Sequence, residues 1–183
     1  MYEDLKIILW PDPRLKKVST DVTAFDDALK ALTDQMFKLM REHKGVGLAA
    51  PQVGINQRLF VMNPSGNPED DRIYINPLLS EAEGEEEAEE GCLSLPNITA
   101  NIWRAKTMVI EAQDLKGRKF RQEAGGYLTR IWQHEFDHLN GTLLIHRMGP
   151  VAKLANRRII KELEEKYAIE HGIEPKPKRK RKN

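Results

Sequence analysis

The chain has a single cysteine, Cys92, in 183 residues. An intramolecular disulfide is therefore excluded, and a lone thiol fits a reducing compartment. A chain of this length buries enough apolar surface to fold as one domain without cross-links. Long hydrophobic runs are missing too, since none approaches the ~20 residues of a membrane span. Met1-Tyr2-Glu3-Asp4 is acidic and no apolar run follows it, so no secretion leader is expected and the reading is a cytoplasmic protein. A charge excess of one sign is also absent, the net charge being +1. That near-balance hides seven glutamates within residues 81–90 and six Lys/Arg against one Glu in residues 171–183. The acidic run reads as a solvated strand and loop. The basic tail has too few apolar residues to fold; it would attract a polyanion such as RNA, or simply aid solubility. Gly45-Val46-Gly47-Leu48-Ala49-Ala50-Pro51-Gln52-Val53-Gly54 lacks the lysine and Ser/Thr of a phosphate loop, so no nucleotide cofactor is expected.

What is present starts with His134-Glu135-Phe136-Asp137-His138. Histidines four apart share a helix face and can reach one metal ion, with the glutamate placed to handle protons of water beside it. The plainer reading is two ordinary helix histidines. The surroundings favour the metal: Gly125-Gly126 precede the segment, Asn140-Gly141 stop it, and Tyr127, Ile131, His134 and His138 form one inward stripe. Buried imidazoles need partners for their nitrogens. A third ligand is required if one position is to stay open. Extension to H-E-x-x-H-x-x-G-x-x-H fails, because Leu144 stands where a histidine is needed and His146 is two residues late. Cys92, in Glu90-Gly91-Cys92-Leu93-Ser94-Leu95-Pro96, is the best remaining ligand, although a lone cysteine is often an inert core residue. In such a site Glu135 would accept and return a proton, while the Gln52 amide and the Leu93 backbone N–H would stabilise an oxyanion.

The periodicities predict an α+β domain, with mixed or antiparallel strands around a central metal-binding helix and with an N-terminal and a C-terminal helix. Helix is expected over Ala24 to His43, with Thr23 and Asp26 as a capping box, and over Val151 to Ile169. Strands are expected at Arg58 to Asn63, Arg72 to Asn76, Thr107 to Gln113, Arg118 to Glu123 and Thr142 to Ile145. Residues 1–170 form the catalytic domain on this reading and residues 171–183 a disordered basic tail.

Taken together, Gly45 to Gln52, Glu90 to Ser94 and Gln133 to His138 resemble, in order, the three motifs of the peptide deformylase family; Pro11-Asp12-Pro13-Arg14-Leu15 is similar as well. The resemblance runs from about the N-terminus to Arg147. Asn97 departs from it, standing where many members carry glycine, as does Ile98-Thr99-Ala100-Asn101. The resemblance implies removal of the formyl group from N-formylmethionine of new polypeptides, with release of formate. It implies Cys92, His134 and His138 as ligands of one divalent ion, Fe(II) in the family and often zinc or nickel on isolation, with cobalt also suited to the donors. It further implies an extended substrate along Val46-Gly47, and Tyr127 and Ile131 are candidate walls of the methionine pocket. Ribosome contact through the C-terminal helix and basic tail is a further expectation, with no membrane partner. Two rival classes are a zincin-type metallopeptidase, which needs a ligand beyond His138, and an RNA- or ribosome-binding module with a closed structural metal site.

Overall fold

The computed structural model describes Tyr2 and residues 4–173. The basic run from Lys176 to Lys182 lies outside the described residues. Among the described residues, four α-helices and seven strands follow in chain order: α1 Asp27–Glu42, β1 Gly47–Ala49, β2 Leu59–Met62, β3 Arg72–Glu83, β4 Glu86–Cys92, β5 Leu95–Arg104, β6 Thr107–Gln113, β7 Lys119–Gly125, α2 Tyr127–Leu139, α3 Leu144–Arg147 and α4 Pro150–Glu170. The strands form a five-stranded antiparallel sheet in the order β1-β2-β3-β6-β7 and a separate β4-β5 hairpin. The expected α+β architecture is present.

α1 buries Leu29, Leu32, Met36 and Leu39, which recur at helical spacing, against Leu48, Leu59 and Val61 of the sheet. Its start differs from expectation. Asp26, not Thr23, is the N-cap, and its side chain accepts from the Leu29 N–H at 3.0 Å. α2 packs Ile131, Trp132 and Leu139 on Phe60, Tyr74 and Ile110 of the same sheet. Its opposite flank meets the hairpin, so the histidine helix lies between the two sheets. A third core joins β5, α3, α4 and Trp10.

The acidic run forms the end of β3, a turn and β4. β5 was not anticipated, although Ile98, Ala100 and Ile102 alternate inward along it. The strand expected at Thr142 to Ile145 is instead a short helical turn, α3. The His146 Nδ1 accepts from the Leu143 N–H at 3.0 Å and the Leu144 carbonyl accepts from Met148, which closes the backbone on itself. An apolar run buried on every side carries no period to separate strand from helix. No helix among the described residues is long and apolar enough to cross a membrane.

Candidate active site

α2 supplies His134, Glu135 and His138. The turn between β4 and β5 supplies Cys92 and Leu93, and the short helical turn Ala50–Val53 after β1 supplies Gln52. Among the described residues, Cys92, His134 and His138 form the cluster able to hold a metal, with one donor atom from each lying within 4.8 Å of the others. Cys92 Sγ is 3.3 Å from His138 Nε2. His134 uses Nδ1 to meet Glu90 Oε2 at 2.9 Å, which leaves Nε2 for the cluster. A thiolate and two imidazoles so spaced suit an ion bound at about 2.0–2.3 Å.

The electrostatics of the cluster are set by burial and by its charged neighbours. Burial disfavours the charged form of both imidazoles. Hydrogen bonds to Cys92 and Glu90 nonetheless hold His134 well above the usual histidine range, while His134 and Arg104 push His138 further down. The two imidazoles are thus pushed in opposite directions by their unlike partners. Burial opposes ionisation of Glu90, but hydrogen bonds from His134 and Arg104 outweigh it and bring its carboxyl to about 2. Burial lifts Glu135 to about 7, with Glu90 adding to the rise and His134 and Arg104 opposing it. Glu135 Oε2 is buried without a hydrogen-bond partner.

Gly47 explains how Glu135 fits. A Cβ at position 47 would lie 2.3 Å from Glu135 Oε1 and 2.8 Å from its Cδ, so only glycine lets β1 pass so close to α2. Gln52 is oriented by its own oxygen, which accepts from the Ala49 N–H at 2.9 Å; its Nε2 points toward Ser94 Oγ at 3.2 Å and Cys92 Sγ at 3.7 Å.

A cleft of about 570 Å³ opens over this cluster. Val46, Gly47, Gln52, Cys92, Leu93, Tyr127, Ile131, His134 and Glu135 line it; His138 lies behind, 1% exposed. Tyr127 corrects the expected inward stripe, being 56% exposed at the mouth, whereas Ile131 is buried. Asn97, also at the cleft, has φ of 60°. Asparagine tolerates that left-handed backbone better than other non-glycine residues, which accounts for it where glycine was expected. His146 is turned away, engaged with Leu143, so among the described residues no ligand follows His138 as the zincin reading requires.

Sequence reasoning missed Arg104, Arg130 and Asp137, which surround Glu90 and the back of α2. Arg130 lies four residues before His134 on one helix face, and that position was the available signal.

Comparison with known proteins agrees with this geometry. The chain is 44% identical over 159 residues to a peptide deformylase of Thermotoga sp. (strain RQ2), covering 86% of this chain and 95% of that one. It is 40% identical over 172 residues to the chloroplastic peptide deformylase 1B of Oryza sativa subsp. japonica, covering 92% of this chain but 64% of the longer rice protein. Among solved structures, a peptide deformylase from Plasmodium falciparum superposes with a TM-score of 0.88 at 42% identity, covering 91% of this chain and 99% of that one. Peptide deformylase 1B of Arabidopsis thaliana gives 0.88 at 37% identity, covering 96% and 98%. The polypeptide deformylase family model matches residues 4–154, and the chain belongs to that family.

Proposed function

We propose that this enzyme hydrolyses the N-terminal formyl amide of formylmethionyl polypeptides, releasing formate, with Cys92, His134 and His138 holding one divalent transition metal ion. The observation that carries the reading is Glu135, buried against Gly47 beside the three-donor cluster, with a free carboxylate oxygen. When bound, the ion acidifies water and polarises the formyl oxygen. Glu135 takes the proton released by water on attack and returns it to the leaving amine. Gln52 Nε2 and the Leu93 N–H donate to the oxygen that gains charge. β1 pairs with β2 on one side only, so its other edge is free to receive the substrate as an added strand along Val46 and Gly47. Ile131 walls the methionine pocket and Tyr127 flanks its mouth.

The donors suit Fe(II), and also zinc, nickel or cobalt. Cytoplasmic action on nascent chains, with α4 and the basic tail contacting the ribosome, belongs to the same proposal. The zincin reading lacks its C-terminal ligand, and a closed structural site lacks a fourth side-chain ligand among the described residues.

The deciding measurement is formate release from a formyl-Met peptide alongside metal content. Glu135→Gln should keep the metal and lose most turnover, because the near-isosteric amide accepts no proton. Cys92→Ala and His138→Ala should lose the metal. Full occupancy in Cys92→Ala, or near wild-type rates in Glu135→Gln, would remove that residue from its role.

A further inference from the structure

Beside the metal cluster, charged side chains are joined end to end from Glu90 and Arg130, which line the substrate cleft, to Arg104, Asp137 and Arg147, which line a second cleft. The Glu90 carboxylate meets His134 Nδ1 at 2.9 Å and accepts from Arg104 Nε and Nη2, each at 2.9 Å, and from Arg130 Nη1 at 2.8 Å. Arg104 Nη1 continues to Asp137 Oδ2 at 2.6 Å, and Asp137 receives Arg147 through Nε at 3.0 Å. The side chains of Glu90, Arg104 and Asp137 are 5, 5 and 9% exposed, whereas Arg147 is 49% exposed and borders a second cleft of about 310 Å³.

We propose that Arg104 is a positioning residue of the metal centre, and that Glu90, Arg104, Asp137 and Arg147 form a chain fixing the orientation of His134. The inference rests on the metal-site reading given above. Its physical basis is directional. A carboxylate held by one partner can rotate about its terminal bond. Glu90 is gripped by the planar fork of Arg104 and a separate donor from Arg130, so the oxygen facing His134 is held in place. That fixes Nδ1 as the protonated nitrogen and keeps Nε2 as the lone-pair donor. Asp137 lies between Glu135 and His138 in sequence but projects to the opposite flank of α2. There it holds the third guanidinium nitrogen of Arg104, so the fork cannot swing away.

The alternative is that these pairs only hold the β4-β5 hairpin against α2. Metal affinity and ligand-field spectra separate the two, since a merely structural chain leaves them unchanged in protein that remains folded. Co(II) is the probe, titrated into metal-stripped full-length protein against a chromophoric chelator, with its visible and thiolate charge-transfer bands recorded. Arg104→Lys keeps the charge but cannot serve both carboxylates through a fork. It should weaken Co(II) binding about 10–100-fold and shift the bands, at a melting temperature measured separately on the metal-free protein. Arg147→Gln alters a half-exposed residue and should lower affinity by a smaller factor without loss of fold. Folded Arg104→Lys with wild-type affinity and spectrum overturns the proposal. If Arg104→Lys does not fold, Arg147→Gln decides, and wild-type affinity there overturns the chain. Failure of the wild-type protein to bind Co(II) would instead overturn the metal-site reading on which the chain depends.

Discussion

Glu135 and Gln52 owe their usefulness to the backbone that touches them. Gly47→Ala places a methyl carbon 2.3 Å from Glu135 Oε1, and the buried carboxylate has little room to turn away. Displacement on the ångström scale should cost about 100-fold in turnover, while metal content stays normal because no ligand moves first. Steady-state formate release and elemental analysis of one preparation check this, and undiminished turnover would mean that Glu135 relocates freely. Gln52→Glu is the cleaner test of the oxyanion donor. An oxygen still accepts from Ala49, so the local turn survives, but the N–H aimed into the site is gone. Loss of such a donor costs about 3–4 kcal/mol, so kcat should fall roughly 10²–10³-fold with a smaller change in KM. A change confined to KM would assign Gln52 to ground-state binding. The motif made Glu135 legible in the sequence; it gave no hint that Gly47 would be the surface against which it rests.

At the scale of elements, the end of α2 is fixed by a contact as tight as the one at its active face. Gly141 has φ of +68°, and a Cβ there would lie 2.4 Å from the Lys16 carbonyl oxygen, which is backbone and cannot rotate aside. The N-terminal segment is laced to this point by the Ser19 N–H donating to the Leu139 carbonyl at 2.9 Å and by the Val18–Asn140 bridge. Gly141→Ala combines left-handed strain with the clash and should destabilise by about 2–4 kcal/mol, read as a lower denaturant midpoint. A midpoint within error of wild type would show that the N-terminal segment peels away without cost. Helix ends of this kind are visible in sequence as Asn-Gly, and α2 was located that way. α3 was misread because Leu143, Leu144 and Ile145 are all buried and carry no period.

For the whole molecule, the buried charges make stability depend on pH. Glu90 drops from an ordinary value of 4.5 to about 2 on folding. Its contribution is fully present above about pH 4.5 and is lost as pH falls toward 2, because the unfolded chain takes up the proton first. Two to three units correspond to about 3 kcal/mol. Asp12, held low mainly by its hydrogen bond to Arg14, adds in the same direction. Denaturant unfolding of metal-stripped protein at pH 6 and pH 3.5 should therefore show a marked loss. Glu90→Gln should be less stable at pH 6, with a shallower acid slope; an unchanged slope would place the acid sensitivity elsewhere. Removal of residues 174–183 should leave folding and formyl-peptide turnover near wild type, since the sequence of this segment has no apolar side chain other than two prolines. Co-sedimentation with ribosomes at low and moderate salt should weaken on truncation, and equal binding at low salt would leave the tail as a solubility feature.

The sequence by itself determined what local spacing can encode. It gave the helix with two histidines one turn apart, the unique thiol, the N-terminal helix α1 and the α+β class. These depend on residues within one or two turns of each other, where backbone periodicity fixes which side chains share a face. Only the tertiary structure decided which charges would meet. Glu90 joins Arg104 fourteen residues away and Arg130 forty residues away, and His134 reaches Glu90 across forty-four. It also set Tyr127 at the cleft mouth although helical spacing placed it on the buried stripe. Burial and ion pairing across the β4-β5 hairpin and α2 are set by the packing of distant segments, and a desolvated charge takes whichever partner that packing provides.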